Sequence, residues 1–438
     1  MQFLEVSRPA RLAAWMLVAA TLLPMVASAS AAQPNATEAM SASARDLLAR
    51  LRPSVVQIRT FYGANVSEAG HGSGFAVAAG GVLLTNYHVV ADAVLYPNQY
   101  RMEYHTTDGK VGAISVLAFD IRHDLALVHA AGIDLVPLAL RADVPPRGER
   151  AYSLGYPLDL GLVITEGVVN GRVDDAVEPH LYYSGALNPG VSGGPTVDSS
   201  GRVVGVNAFG AGGELLNFLV PIEFAMPLLD QRGHAPLDPH QLRDIIAQQV
   251  KAHMSSMLGA IPAPLATQRV SGYALPARLA GFFTCNAGGD TDMHEPVHSQ
   301  SMACQTHAAL YLEEGLNSGD LRFRHYLLST DQLGAMRFAR RLSQAVVAYG
   351  NRGSGTPRHV TPYACRRDSV ALQTFDAVVR VCARGYRQYP GLYDLNVTAV
   401  SQNRPRSAVV TSLAVTGVEY STGIEFVRKF LGALQWSP

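Results

Sequence analysis

The chain has 438 residues, and 35 Lys+Arg balance 35 Asp+Glu, so its formal net charge is zero. That balance excludes a dedicated nucleic-acid binder, which needs a basic surplus to neutralise phosphates, and argues against a polybasic membrane-surface protein. Hydrophobic residues make up 48% and charged residues 16%, below the roughly 25% charged residues of ordinary soluble domains and opposite in character to a disordered chain.

The N-terminus reads as an export signal over residues 1–31. Arg8 and Arg11 give a positive start, Leu12 to Val26 is apolar apart from Thr21, and Ala27-Ser28-Ala29 offers small residues for cleavage. The apolar run is shorter than the about 20 residues a spanning helix needs. A retained anchor stays open as the alternative, and stable membrane insertion is not expected. Residues 33–52 begin polar and then place Ala44, Leu47, Leu48 and Leu51 on one face of a short helix. From Pro53 onwards the pattern becomes strand-like, in runs such as Val55–Ile58, Gly74–Val77, Val82–Thr85, Leu125–Val128, Leu162–Thr165, Val203–Val206 and Asn217–Val220. Many short strands separated by Gly, Pro, Asn and Asp predict a barrel or sandwich.

Helical periodicity returns over Leu242–Leu258, and the proline-bearing stretch Gly259–Pro276 reads as a linker. Beyond it the pattern is α+β, with strands expected at 307–313, 321–328, 369–381, 394–401 and 407–415, and helices at 330–349 and 421–436. The domain organisation is therefore 40–235, an all-β region, then 236–275, a helix and linker, then 276–438, a smaller α+β domain. All four cysteines, Cys285, Cys304, Cys365 and Cys382, lie in this last part. In an exported chain an even count favours disulfides, and loop length alone favours Cys285–Cys304 and Cys365–Cys382.

Three local patterns supply the groups of a serine hydrolase: a nucleophile, a base to take its proton, and a carboxylate to hold the base in the right tautomer. Ser192 lies in Asn188-Pro189-Gly190-Val191-Ser192-Gly193-Gly194-Pro195, where flanking glycines permit a tight turn and free the amides of Gly190 and Ser192 to face one point. His88 follows a strand in Leu84-Thr85-Asn86-Tyr87-His88-Val89-Val90. Asp124 opens the apolar strand Leu125–Val128, with Asp92 and Asp120 as rivals and His123 as a surface neighbour. The chain order His, Asp, Ser is that of chymotrypsin-type enzymes and differs from subtilisin and the α/β-hydrolases.

These strings, together with Gly72-Ser73-Gly74-Phe75, Gly205-Val206-Asn207 and Phe218-Leu219-Val220-Pro221, closely resemble the HtrA/DegP-type serine proteases over roughly residues 40–230. The resemblance implies a trypsin-like double β-barrel acting without a cofactor. His88 is then the general base, Asp124 the orienting acid and Ser192 the nucleophile. The amides of Gly190 and Ser192, with Gly193 nearby, form the oxyanion hole. It also implies that Ala186 floors the pocket for the residue before the scissile bond. Asn217, Phe218 and Leu219 then keep that pocket apolar and pair with substrate as an added strand. Partners implied are unfolded or extended polypeptides, with oligomerisation left open. The chain departs from the family at Val191, where Asn or Asp is common. It departs again in its C-terminal part, where Glu314–Leu321 echoes a PDZ segment only faintly. A catalytically inert protease-fold binding module and an esterase use of the triad are the alternatives.

The pattern His294-Glu295-Pro296-Val297-His298 matches the zinc-protease motif H-E-x-x-H, with Cys285, Cys304 and His307 nearby. That chemistry needs both histidines on one helical face, and Pro296 between them costs a helix about 3 kcal/mol. No metal is expected there, and a disulfide-tied surface loop is the better reading.

Overall fold

The structure is a computed structural model that describes residues 41–63, 68–157, 160–173, 177–210, 216–233, 235–238, 241–289, 295–307, 309–348 and 353–437. The expected export signal lies outside them. Among the described residues, no helix is long and apolar enough to cross a membrane.

Six strands form the first closed barrel: β1 (Val55–Tyr62), β2 (Glu68–Ala78), β3 (Val82–Thr85), β4 (Tyr100–His105), β5 (Val111–Asp120) and β6 (Leu125–Ala130). They are ordered β1-β2-β3-β6-β5-β4 and closed by β1 against β4. A second six, β7 (Glu149–Gly155), β8 (Val163–Val173), β9 (His180–Tyr183), β10 (Pro195–Asp198), β11 (Val203–Gly210) and β12 (Asn217–Pro221), close in the corresponding order, β7 against β10. The sequence carries no visible repeat, yet the topology is duplicated. The turn between β2 and β3 illustrates how locally this is dictated. Gly81 has φ +72°, and a Cβ there would come within 2.4 Å of the Ala130 carbonyl on β6, so only glycine lets β3 and β6 meet.

Helix α1 (Ala42–Leu51) buries the expected Ala44, Leu47 and Leu51 in a core shared by both barrels, with Phe75, Leu84 and Leu127 from one and Tyr152, Leu154 and Val206 from the other. The interior of the first barrel runs on without a break. It passes through α2 (Tyr87–Leu95) into the apolar face of α4 (Leu242–Gly259), where Ile246, Val250, Met254 and Met257 are buried, while the short α3 (Met226–Leu229) follows the second barrel. From α4 the same core continues into the C-terminal sheet at Leu321, Phe323, Leu395 and Leu413. Residues 42–438 accordingly form one compact unit.

The C-terminal region is more regular than its sequence suggests. Strands β13 (Thr267–Val270) and β14 (Tyr273–Pro276) pair as a hairpin within the stretch expected to be a linker, and β24 (Gln435–Trp436) extends them. A seven-stranded antiparallel sheet follows. Its strands are β15 (Phe283–Gly289), β16 (His298–Thr306), β19 (Leu321–Ser329), β20 (Ala364–Ala371), β21 (Asp376–Gly385), β22 (Tyr393–Ser401) and β23 (Ser407–Val418), in the order β15-β16-β19-β23-β22-β21-β20. Strands β17 (Leu310–Glu313) and β18 (Leu316–Ser318) form a separate hairpin, and α5 (Ala335–Ala348) and α6 (Tyr420–Gly432) complete the elements. Two expectations need correction. The single strand at 369–381 is two strands, broken by a tight turn in which Leu372 N–H donates to the Phe375 carbonyl. No Gly or Pro marks that turn, so propensity hides it. The surface loop expected around His294–His298 ends at His298, which opens β16, because pairing with β15 and β19 supplies what the polar residues there do not.

Both expected disulfides are present, Cys285–Cys304 and Cys365–Cys382. Each joins directly opposed residues, the first across β15 and β16, the second across β20 and β21. They therefore staple the two edge strands of the sheet, the strands with fewest partners. Reducing either bond is expected to destabilise the C-terminal region by about 3 kcal/mol in the chain-entropy account. Denaturant unfolding of Cys→Ser pairs measures this, and an unchanged midpoint would refute it.

Candidate active site

The site grows from the start of α2. A helix leaves its first N–H groups without partners, and here the Asp124 loop takes them: Tyr87 N–H donates to the Asp124 carbonyl (3.1 Å) and His88 N–H to Asp124 Oδ1 (2.9 Å). Asn86, at the N-cap, spends its side chain on the same carbonyl (Nδ2 to O, 2.8 Å). Three atoms of one short segment thus grip Asp124, whose backbone sits at φ +53°. That conformation is uncommon for a residue other than glycine and persists only when its surroundings enforce it. The outcome is a carboxylate whose other oxygen, Oδ2, lies 2.6 Å from His88 Nδ1. Burial works to lower the imidazole's pKa, but the charge and hydrogen bond of Asp124 outweigh it and hold His88 above 6.5.

The Ser192 loop is braced by Ser73. Its N–H donates to the Ser192 carbonyl (2.8 Å), its hydroxyl to the Gly190 carbonyl (2.8 Å), and its hydroxyl oxygen receives Tyr156 N–H (2.9 Å). Asn207 braces the far side, donating from Nδ2 to the carbonyls of Leu154 and Val191 and exchanging backbone bonds with Gly193 and Gly194. Gly190 has φ +98°, and a Cβ there would sit 2.4 Å from the Tyr156 carbonyl. Gly193 N–H donates to the Asn207 carbonyl (2.9 Å), so of the three amides expected to meet an oxyanion this one is already engaged. Ser192 Oγ donates to the Ala208 carbonyl (3.0 Å), and no hydrogen bond joins it to His88 among the described residues. The structure therefore brings His88 and Asp124 together and does not join Ser192 to them. Such bonds are often incomplete before substrate binds.

The pocket residues divide. Ala186 is exposed, and its carbonyl receives the Thr165 hydroxyl (3.0 Å). Asn217 is buried and donates to the Gly185 carbonyl (2.8 Å), while Phe218 is half-buried beside His180 and Tyr182. Leu219 is fully buried with Leu181 and Tyr183 inside the second barrel, so it belongs to the core and not to a pocket wall. Asn217, Phe218 and Leu219, expected to pair with substrate as an added strand, are each already paired on both sides, with β11 and with β9. β12 lies between β11 and β9 in a closed barrel and has no free edge.

The other titratable candidates are otherwise engaged. Asp92 Oδ1 receives Glu314 N–H (3.4 Å), and Asp120 Oδ2 lies 2.5 Å from His123 Nδ1. His123 is not at the surface. It bridges Asp120 and Glu178 (3.1 Å), stacks on Phe224 with ring centroids 3.9 Å apart, and although burial opposes its charge, these two carboxylates push it up to about 9. Of the zinc-like motif, His294 lies outside the described residues and His298 opens strand β16, which cannot present the helical face that motif requires. Three residues passed over in the sequence also belong to the site. Ser73 and Asn86 lie within strings that had marked the region. His71 precedes one of them, and its Nε2 is buried without a hydrogen-bond partner among the described residues, 2.8 Å from where a Gly190 Cβ would be.

Two closed barrels of matching topology, with an imidazole–carboxylate pair at the start of α2 and a braced Gly-rich turn at Ser192, define the class. Residues 72–206 match the family described as trypsin-like peptidase domain, and the protein carries such a domain. Its homologues over that part are serine proteases of the HtrA/DegP type. A probable periplasmic serine endoprotease DegP-like of Ectopseudomonas mendocina is 32% identical over 169 residues, covering 36% of this chain and 34% of the relative. A putative serine protease HhoB of Synechocystis sp. is 34% identical over 169 residues, covering 36% and 39%. A solved structure, the serine endoprotease from Yersinia pestis, aligns with a TM-score of 0.38 at 23% identity, over 44% of this chain and 68% of that one. The chain thus spans between 34% and 39% of the length of these two curated relatives.

Proposed function

We propose that the protein is an exported serine endopeptidase that hydrolyses peptide bonds of unfolded or extended proteins through an acyl-enzyme. Residues 40–235 do the chemistry, 236–275 connect, and 276–438 form an accessory α+β region. His88 takes the Ser192 proton as the hydroxyl attacks the carbonyl carbon, then returns it to the leaving amine. Water, activated by the same imidazole, releases the acyl group. Asp124 fixes the tautomer that leaves Nε2 free to accept. The observation that carries this reading is the His88 Nδ1–Asp124 Oδ2 contact of 2.6 Å at the start of α2.

Extended substrates are favoured because β11 beyond Asn207 pairs with β12 on one side only, leaving a strand edge beside Ser192 on which an extended backbone could be laid. Export is supported by the two disulfides and by a relative named periplasmic. The inert binding-module reading has one observation in its favour, the Ser192 hydroxyl on the Ala208 carbonyl. A fluorophosphonate probe decides between them: the enzyme is labelled at Ser192, and a binding module stays unlabelled.

Ala186 brings neither charge nor a side-chain hydrogen bond to the pocket floor, so a cationic side chain would be buried unpaired, at a cost of several kcal/mol. Cleavage is therefore expected after Val, Ala, Ile or Leu. A mass-spectrometric map of cuts in a reduced, denatured protein with a majority after Arg or Lys would refute the assignment of Ala186.

A further inference from the structure

The C-terminal region reaches the catalytic base. The β17–β18 hairpin is clamped to α2, the helix whose first turn carries His88. Tyr87 donates its hydroxyl to the Leu312 carbonyl (2.8 Å), Tyr96 and Tyr389 both bond the buried Glu313 carboxylate, the latter at 2.9 Å, and Glu314 N–H meets Asp92. Leu312 and Glu313 are 0% and 2% exposed, so these two residues are the seat of the hairpin. Tyr311 lies just before the register shift that separates it from Glu313 in the β17–β18 pairing. It remains only half-buried. Its ring stands edge-on to the His88 imidazole, with centroids 6.3 Å apart at 73°, and edge-on to Tyr87 at 6.5 Å.

A peptide whose scissile carbonyl is within attack distance of Ser192 must carry its neighbouring residue past the base, because an extended chain advances only about 3.3 Å per residue. The surface it meets there is the imidazole together with Tyr311. We propose that Tyr311 is a specificity-determining residue, a wall supplied by the C-terminal region for the substrate side chain that adjoins the scissile residue and lies against His88. This rests on the peptidase reading above. The phenol face offers apolar contact, and carboxylates frame it: Asp124 holds the imidazole it stands against, Glu313 and Glu314 belong to its own hairpin, and Asp92 meets Glu314 N–H from α2. The wall therefore takes apolar or cationic side chains and repels Asp and Glu.

The test uses the full mature chain and a peptide library varied at the positions flanking the cleaved residue. The wild type is expected to favour Leu and Lys over Asp at one of them, and Tyr311→Ala to lose about tenfold of the preference for Leu there, in line with the worth of an apolar subsite contact. Tyr311→Phe keeps the profile, since the ring is the wall. Tyr311→Trp shifts it towards smaller residues, which keeps the idea testable if the alanine variant folds poorly. A residue that merely supported α2 would instead lower kcat for every peptide alike. Labelled, active Tyr311→Ala with a profile parallel to the wild type overturns the proposal alone. A wild type that neither labels nor cleaves overturns it together with the peptidase reading.

Discussion

Replacing Ser192 by alanine is expected to reduce kcat by about 10⁶, because without the nucleophile the base and the oxyanion amides have nothing to act through. The fold is expected to survive. Among the described residues the Ser192 hydroxyl makes one bond, to the Ala208 carbonyl, whereas the loop around it is held by Ser73 and Asn207 through groups the substitution does not touch. Loss of one ordinary hydrogen bond costs about 1 kcal/mol, and thermal unfolding would register it as a small shift. The measurement is steady-state hydrolysis by purified variant, beside fluorophosphonate labelling of the wild type. Residual activity above a few per cent would mean that another residue is the nucleophile.

The meeting of His88 and Asp124 was legible in the sequence because each sits in a short string whose local geometry is self-contained. A strand ending at Thr85 followed by Asn86-Tyr87-His88 is a helix start, and an aspartate before Leu125–Val128 is a strand start; the structure adds that the two starts are hydrogen-bonded to each other. What could not be read was pairing between distant segments. The edge-free position of β12 depends on β9 and β11 lying on either side, and no local signal carries that. Leu219 was recoverable in part: a period of two puts it on the face opposite Phe218. His123 was misjudged because its partner Glu178 comes from the other barrel. The hairpin carrying Tyr311 meets α2 from the far end of the sequence, and no motif in Leu310–Ser318 announces the contact. The C-terminal sheet was half legible. Its alternating apolar strands β19, β22 and β23 were found, while the polar β15 and β16 were not.

Changing Asp124 to asparagine separates the geometry of this aspartate from its charge. Asparagine has nearly the same shape and is among the few residues that accept φ +53°, so the loop and the start of α2 are expected to keep their form. The carbonyl bonds from Asn86 and Tyr87 use the backbone and are unaffected. What changes is the atom facing His88 Nδ1. An amide N–H there forces Nδ1 to accept, which moves the ring proton to Nε2, where it blocks uptake of the serine proton; the expected fall in kcat is about 10⁴. The pH profile gives a second, independent reading. The active form of the base is the neutral imidazole. Burial lowers its pKa and Asp124 raises it past 6.5, so wild-type kcat/KM falls as pH drops through a value above 6.5. Without the carboxylate the burial remains and its opponent is gone. The residual activity of Asp124→Asn is then expected to persist to more acidic pH, its acid limb lying below 6.5. Profiles of kcat/KM against pH, with imidazole proton titration by NMR as the cross-check, measure both limbs. An acid limb unmoved by the substitution, or an equal loss from Asp92→Asn or Asp120→Asn, would take the orienting role away from Asp124.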